Sequence, residues 1–252
     1  VSILEGILLL VVGAFAGFLN VLSAGGSMLA LPALMFMGLD TTTANGTNRV
    51  GIVLQNITAV WRYRRSGHRY WRLGLVLSVP AILGAVLGAW AAVHVGEEFF
   101  RWVLILVMVG ASALMLLPLP SRTNTRLLEI SGLRWPVLAA MLFIGFYGGF
   151  VQVAVGILFI VLLYRVLGID LVQVNALKVM VVLVYMIPAL GIFVFSGHVA
   201  WSYGLVLAVG SMAGAWLAVQ VSLGPTGALL IQRITLAVIA IIVVKLAIDL
   251  IG

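Results

Sequence analysis

The sequence contains no cysteine, so a disulfide framework and a thiolate metal site are both excluded. Its three histidines, His68, His94 and His198, are far apart, and no His-Glu-x-x-His spacing occurs. No ATP-binding motif is present and no nucleophile–base pair stands out, so neither an enzyme nor a cofactor is expected. Charge is scarce as well. Only 8% of the residues are Asp, Glu, Lys or Arg, against about 25% in soluble domains. So little charge cannot cover a water-facing surface. What is present is apolar: 64% of the 252 residues are hydrophobic, and the mean hydropathy is +1.27. The class this dictates is an all-α integral membrane protein in contact with lipid. The 14 Lys and Arg outnumber the 7 Asp and Glu, which in a soluble protein would suggest nucleic acid. Here the positive-inside rule accounts for the excess, and no nucleic-acid partner is expected. The apolar start lacks a basic leader and a small-residue cleavage site, so it reads as the first membrane element.

Apolar stretches cover 2–22, 27–37, 44–61, 73–93, 99–117, 136–149, 156–167, 171–195, 203–223 and 227–250. A helix needs about 20 residues to cross the hydrocarbon core. Stretches 27–37 and 156–167 fall short of that and read as half-helices. Shifted by 130 positions, the chain falls on itself without a gap. Asp40 meets Asp170, Asn45 meets Asn175, Ser66-Gly67-His68 meets Ser196-Gly197-His198, and Trp71 meets Trp201. Matches of Asp, Asn, His and Trp at one offset indicate duplication. The units are 1–118 and 135–252, joined by a cytoplasmic linker at 119–134. Each has a glycine-broken helical hairpin followed by three transmembrane helices.

Loop charge bears on whether the repeats are inverted or parallel. Arg62, Arg64, Arg65, Arg69 and Arg72 make 62–72 cytoplasmic, whereas its partner 192–202 has no Lys or Arg. The contrast favours inverted repeats, and it requires each initial segment to leave and return on one side. Threaded in this way, ten of the fourteen Lys and Arg fall inside and five of the seven acids outside. A parallel arrangement remains the alternative, with a single crossing in each initial segment. Trp61, Tyr70, Trp71, Trp102, Trp135 and Trp201 sit near span ends, as an aromatic belt would. Gly84, Gly88, Gly210 and Gly214 form small-x3-small faces for close helix packing. The recurring Ser-Gly-His reads as a shared turn rather than a proton relay, and the arginine cluster as an orientation signal.

Each unit breaks its initial hairpin before a short helix, at Ser23-Ala24-Gly25-Gly26-Ser27 and at Gln152-Val153-Ala154-Val155-Gly156. Unwound backbone at membrane depth belongs where protein buries it or a wet cavity meets it. The first N–H groups of a helix, with its dipole, can hold an anion. The following helices carry Asn45, Asn48, Arg49, Gln55 and Asn56 in one unit, and Asn175, Lys178 and Tyr185 in the other. Arg49 and Lys178, one position out of register, supply one cation each. A guanidinium grips an oxyanion with a fork, whereas an ammonium acts as a point charge. The blander readings are snorkelling to headgroups and pairing with Asp40 or Asp170.

These residues resemble the TauE/SafE family, also called the 4-toluene sulfonate uptake permease family. The likeness runs from Gly25-Gly26-Ser27 to Pro32 and Gly38, then through Ala44-Asn45-Gly46-Thr47-Asn48-Arg49-Val50. It continues in Gly145-Phe146-Tyr147-Gly148-Gly149, Gln152, Gly156 and Asn175-Ala176-Leu177-Lys178. The resemblance implies movement of a small sulfur-containing anion, such as sulfite, a sulfonate or sulfoacetate, across a bacterial inner membrane. Carried over residue by residue, it places the binding site at Gly25, Gly26, Asn45, Asn48, Arg49, Gln152, Gly156, Asn175 and Lys178, to which Ser27 is added as the first residue of the short helix. The first glycine run is short, and Ala154-Val155 stand where a longer run is common in the family. The expected machine is a secondary carrier using alternating access, with an anion channel of the same architecture as the alternative. Oligomeric state is left open.

Overall fold

The computed structural model describes residues 1–22, 25–68, 70–115, 134–166 and 168–224, apart from the side chains of 112–115 and 165–166. The predicted span 227–250, most of the linker, Ser23, Ala24 and Arg69 lie outside the described residues. The described chain forms helices joined by turns. They are α1 (Ile3–Leu22), α2 (Ser27–Phe36), α3 (Thr41–Arg65), α4 (Trp71–His94), α5 (Glu97–Met115), α6 (Trp135–Phe150), α7 (Val155–Phe159), α8 (Leu171–Phe195) and α9 (Trp201–Ser222). A π-helical stretch, Ile160–Val166, continues α7. Four of them (α1, α4, α8 and α9) are long and apolar enough to cross a membrane.

The 130-residue shift reappears in the element bounds, since α3 and α8 both run 25 residues from equivalent starts. Local chemistry explains why. Asp40 caps α3 by accepting from the Thr43 N–H at 2.8 Å, and Asp170 caps α8 by accepting from the Gln173 N–H at 3.1 Å. Partial burial pushes the Asp40 carboxyl up, but the bonds from Thr43 and nearby His198 outweigh it and hold it below its ordinary value. Both helices end alike. Gly67 and Gly197 take φ of +87° and +77°, and the next N–H returns to the carbonyl of Tyr63 or Phe193. That is a Schellman stop, for which glycine is the favoured residue. The recurring Ser-Gly-His is therefore a helix terminator.

The halves are interleaved. α1 packs along α9 and α6 along α4, each pair drawn from both halves, while α3 lies against α9 and α8 against α4. Glycines permit this approach. A Cβ at Gly13, Gly17, Gly210 or Gly214 would land on backbone across the α1–α9 contact. The same holds for Gly84, Gly88, Gly145 and Gly149 across α4–α6. Such small-residue faces stand in for the hydrophobic drive that lipid removes. α3 and α8 also touch, running in opposite directions: Arg49 contacts Met186 and Phe193, whereas Ala59 and Tyr63 cluster with Ala176 and Val179. Outward-facing positions remain apolar, with Leu83, Trp90, Trp102, Leu106 and Trp135 all more than half exposed, as a lipid-facing surface requires.

Candidate functional site

The polar residues expected at the site are gathered inside the bundle. Ser27, Asn45, Asn48, Arg49, Gln152, Asn175 and Lys178 are all buried. Around the first break, Asn20 of α1 accepts from the Ser27 N–H at 3.2 Å and donates to Gln55 Oε1 at 3.4 Å. Asn48 donates to Ser27 Oγ at 3.2 Å. One network thus ties α1, the start of α2 and α3 together. Gly26 packs so closely on α1 that a Cβ there would strike the Ala16 carbonyl and the Asn20 side chain. The first N–H groups of α2 are engaged within the protein, Ser27 by Asn20, Met28 by the Gly25 carbonyl and Leu29 by the Gly26 carbonyl.

The second break is built differently. Gln152 and Ala154 take φ of +64° and +55°, a left-handed backbone that residues with a Cβ adopt only at a cost. Tyr185 of α8 donates to Gln152 Oε1 at 2.9 Å, and the Tyr147 hydroxyl donates to the Val153 carbonyl at 2.6 Å. Gly156 lies buried in the first turn of α7. A Cβ at Gly148 would strike the Tyr185 hydroxyl, so glycine there admits that ring.

The cations occupy reciprocal places. Arg49 of the first half reaches the C-terminal end of α6 in the second. Its Nη1 donates to the Gly148 carbonyl at 3.2 Å, and its Nη2 to the carbonyls of Gly149 and Phe150 at 2.6 and 3.3 Å. The guanidinium also lies 4.3 Å from the centre of the Phe193 ring. Asn45 donates to the same Phe150 carbonyl at 2.9 Å. Lys178 of the second half reaches the end of α1 in the first, donating to the Val21 carbonyl at 2.8 Å and to Asn175 Oδ1 at 3.1 Å. The last carbonyls of a helix lack intrahelical partners and carry the negative end of its dipole, so a cation there satisfies both. Neither cation snorkels: Arg49 is 0% and Lys178 2% exposed. Arg49 pairs with no carboxylate among the described residues, so its bonds to α6 replace the pairing with Asp40.

Asn20 was not among the expected site residues, although it is the only polar side chain of α1 beyond Glu5. Gln55 and Tyr185 were visible as polar positions, but their partners come from other elements.

A model of the family described as sulfite exporter TauE/SafE matches residues 9–246. The chain is 25% identical to the "Probable membrane transporter protein ORF9" of Sinorhizobium sp., covering 95% of this chain and 92% of that one. It is 27% identical to the "Probable membrane transporter protein YfcA" of Escherichia coli (strain K12), over 94% and 88%. A "Probable membrane transporter protein" of Haemophilus influenzae shares 24% identity over 82% and 81%. No solved structure matches.

Proposed function

This chain belongs to the sulfite exporter TauE/SafE family of membrane transporters, and from that premise we propose that it is a secondary carrier of small sulfur-containing anions in a bacterial inner membrane. Sulfite, sulfonates and sulfoacetate are the candidate substrates. One observation carries the reading, namely that Arg49 is a fully buried cation with no carboxylate counter-charge among the described residues. A buried charge is costly unless paired, and such groups within membrane helices mark substrate pathways. An oxyanion beside Arg49 supplies the missing charge and accepts its fork.

The site then lies between the two units, 1–118 and 135–252, which we take as inverted repeats. The opposite directions of α3 and α8, and the exchange of contacts between halves, support a pseudo-two-fold axis in the membrane plane. Asn45, Asn48, Asn175 and Gln152 orient the anion and Lys178 adds charge, whereas the first N–H groups of α2 at the Gly25-Gly26-Ser27 break are already engaged within the protein and supply no donor. Alternating access follows if the anion competes with the helix-end carbonyls for the two cations, freeing the ends of α6 and α1 in turn.

A thermal-shift screen with sulfite, sulfonates, carboxylates and phosphate tests this reading. A ligand at about 100 times its Kd stabilises by about 2.7 kcal/mol, so wild type should melt several degrees higher with a sulfur oxyanion. Lys178→Ala should respond less. If no anion stabilises wild type, the site assignment is wrong.

A further inference from the structure

Thr41, Asn45 and Arg49 stand four residues apart along α3, so they share one face of the helix, one turn apart. All three are 0% exposed. Each also carries a buried atom with no hydrogen-bond partner, namely Thr41 Oγ1, Asn45 Oδ1 and the Arg49 Nε–H. The Phe150 carbonyl requires a donor, so it fixes the Asn45 amide with Nδ2 toward it and Oδ1 away. Buried polar groups without partners are rare and destabilising. Three in line on one face serve no packing purpose.

The register equivalents in α8 are Leu171, Asn175 and Val179. Two are apolar, and Asn175 Oδ1 accepts from Lys178 at 3.1 Å. The column therefore belongs to one half alone. It starts in the first turn of α3, at the end away from Arg62, Arg64 and Arg65, and descends to the guanidinium.

We propose that Thr41, Asn45 and Arg49 line the route by which water and the anion reach the cation from the membrane face at the start of α3. The inference rests on the carrier reading above. In the conformation described, the C-terminal end of α6 closes the route, because the Phe150 carbonyl takes bonds from both Asn45 and Arg49. Opening requires that end to part from α3. The hydroxyl and the amide oxygen then hold the water shell of the entering anion, and the guanidinium receives the anion itself. Charge complementarity to an anion arises only at the bottom of the column, at the guanidinium.

The cysteine-free sequence makes the test direct. Thr41→Cys, Asn45→Cys and, as control, Ala44→Cys are reconstituted in vesicles of both orientations and treated with a membrane-impermeant maleimide. Ala44 is equally buried and at the same depth, but on another side of α3. The expected result is at least tenfold faster labelling of Thr41→Cys and Asn45→Cys than of Ala44→Cys, from the face at the start of α3 only. Labelling no faster than the control, or labelling from the opposite face, overturns the route. Should Asn45→Cys fail to fold, the nearly isosteric Thr41→Cys decides alone. Sulfite exchange by Thr41→Cys, at a position outside the proposed binding residues, reports on the carrier reading separately, so labelling of Thr41→Cys at the control rate with exchange intact overturns the route and spares the carrier.

Discussion

Replacing Arg49 by alanine is expected to abolish anion-dependent stabilisation and to lower stability by about 2–4 kcal/mol, because buried carbonyls at the end of α6 lose their donor. The two effects have separate origins. The guanidinium bonds three consecutive carbonyls of α6, Gly148, Gly149 and Phe150, so its loss uncaps that helix whatever the ligand. In the proposed carrier it also supplies charge to the anion, so its loss should remove the response to sulfite. Arg49→Lys separates them. An ammonium can satisfy one or two carbonyls but cannot reproduce the fork. It should recover much of the stability and little of the anion response. Thermal unfolding of the detergent-solubilised variants, with and without sulfite, reads both. Wild-type stability in Arg49→Ala would mean that the contacts with α6 carry no weight.

A second large effect is expected at the helix crossings. Gly214→Leu should abolish folded, extractable protein, and Gly84→Leu should do the same from the other half. A Cβ at Gly214 falls on the Ala14 carbonyl, and one at Gly84 on the Leu142 carbonyl. Neither obstacle is a flexible side-chain tip, so the helices must separate. Overpacking commonly costs about 1–3 kcal/mol, and here a whole interface is forced apart. Gly191→Leu is the matched control, since a Cβ there meets nothing within 4 Å. It should fold normally, leucine being the better helix former. Fluorescence size-exclusion chromatography of tagged variants checks all three, and a monodisperse Gly214→Leu peak of wild-type height would contradict the proposed packing.

Helix bounds were largely legible because they depend on local chemistry. The Asp40 and Asp170 caps, the glycine stops at Gly67 and Gly197, and the apolar runs between them write the 130-residue period into the chain. Gly84, Gly88, Gly210 and Gly214 were legible for the same reason, since their four-residue spacing is a property of one helix. The partners were not. That Arg49 meets α6 and Lys178 meets α1 depends on how the halves interleave, over separations of about 100 and 157 residues. Period and spacing carry no such information. Asn20 is a similar case. Its polarity was plain, but its role appears only once Ser27 and Gln55 are brought beside it. The engagement of the Ser27 N–H was hidden too, because the side chain that accepts it, Asn20, comes from the preceding helix.

In the proposed carrier a small sulfur oxyanion moves through a site held by Arg49 and Lys178. Counterflow in proteoliposomes tests it most directly: vesicles preloaded with unlabelled sulfite are diluted into a trace of labelled sulfite, and uptake is followed with time. The expected result is a transient accumulation of label in wild type and none in Arg49→Ala. Uptake that only equilibrates, with no overshoot and at ion-channel rates, would contradict it.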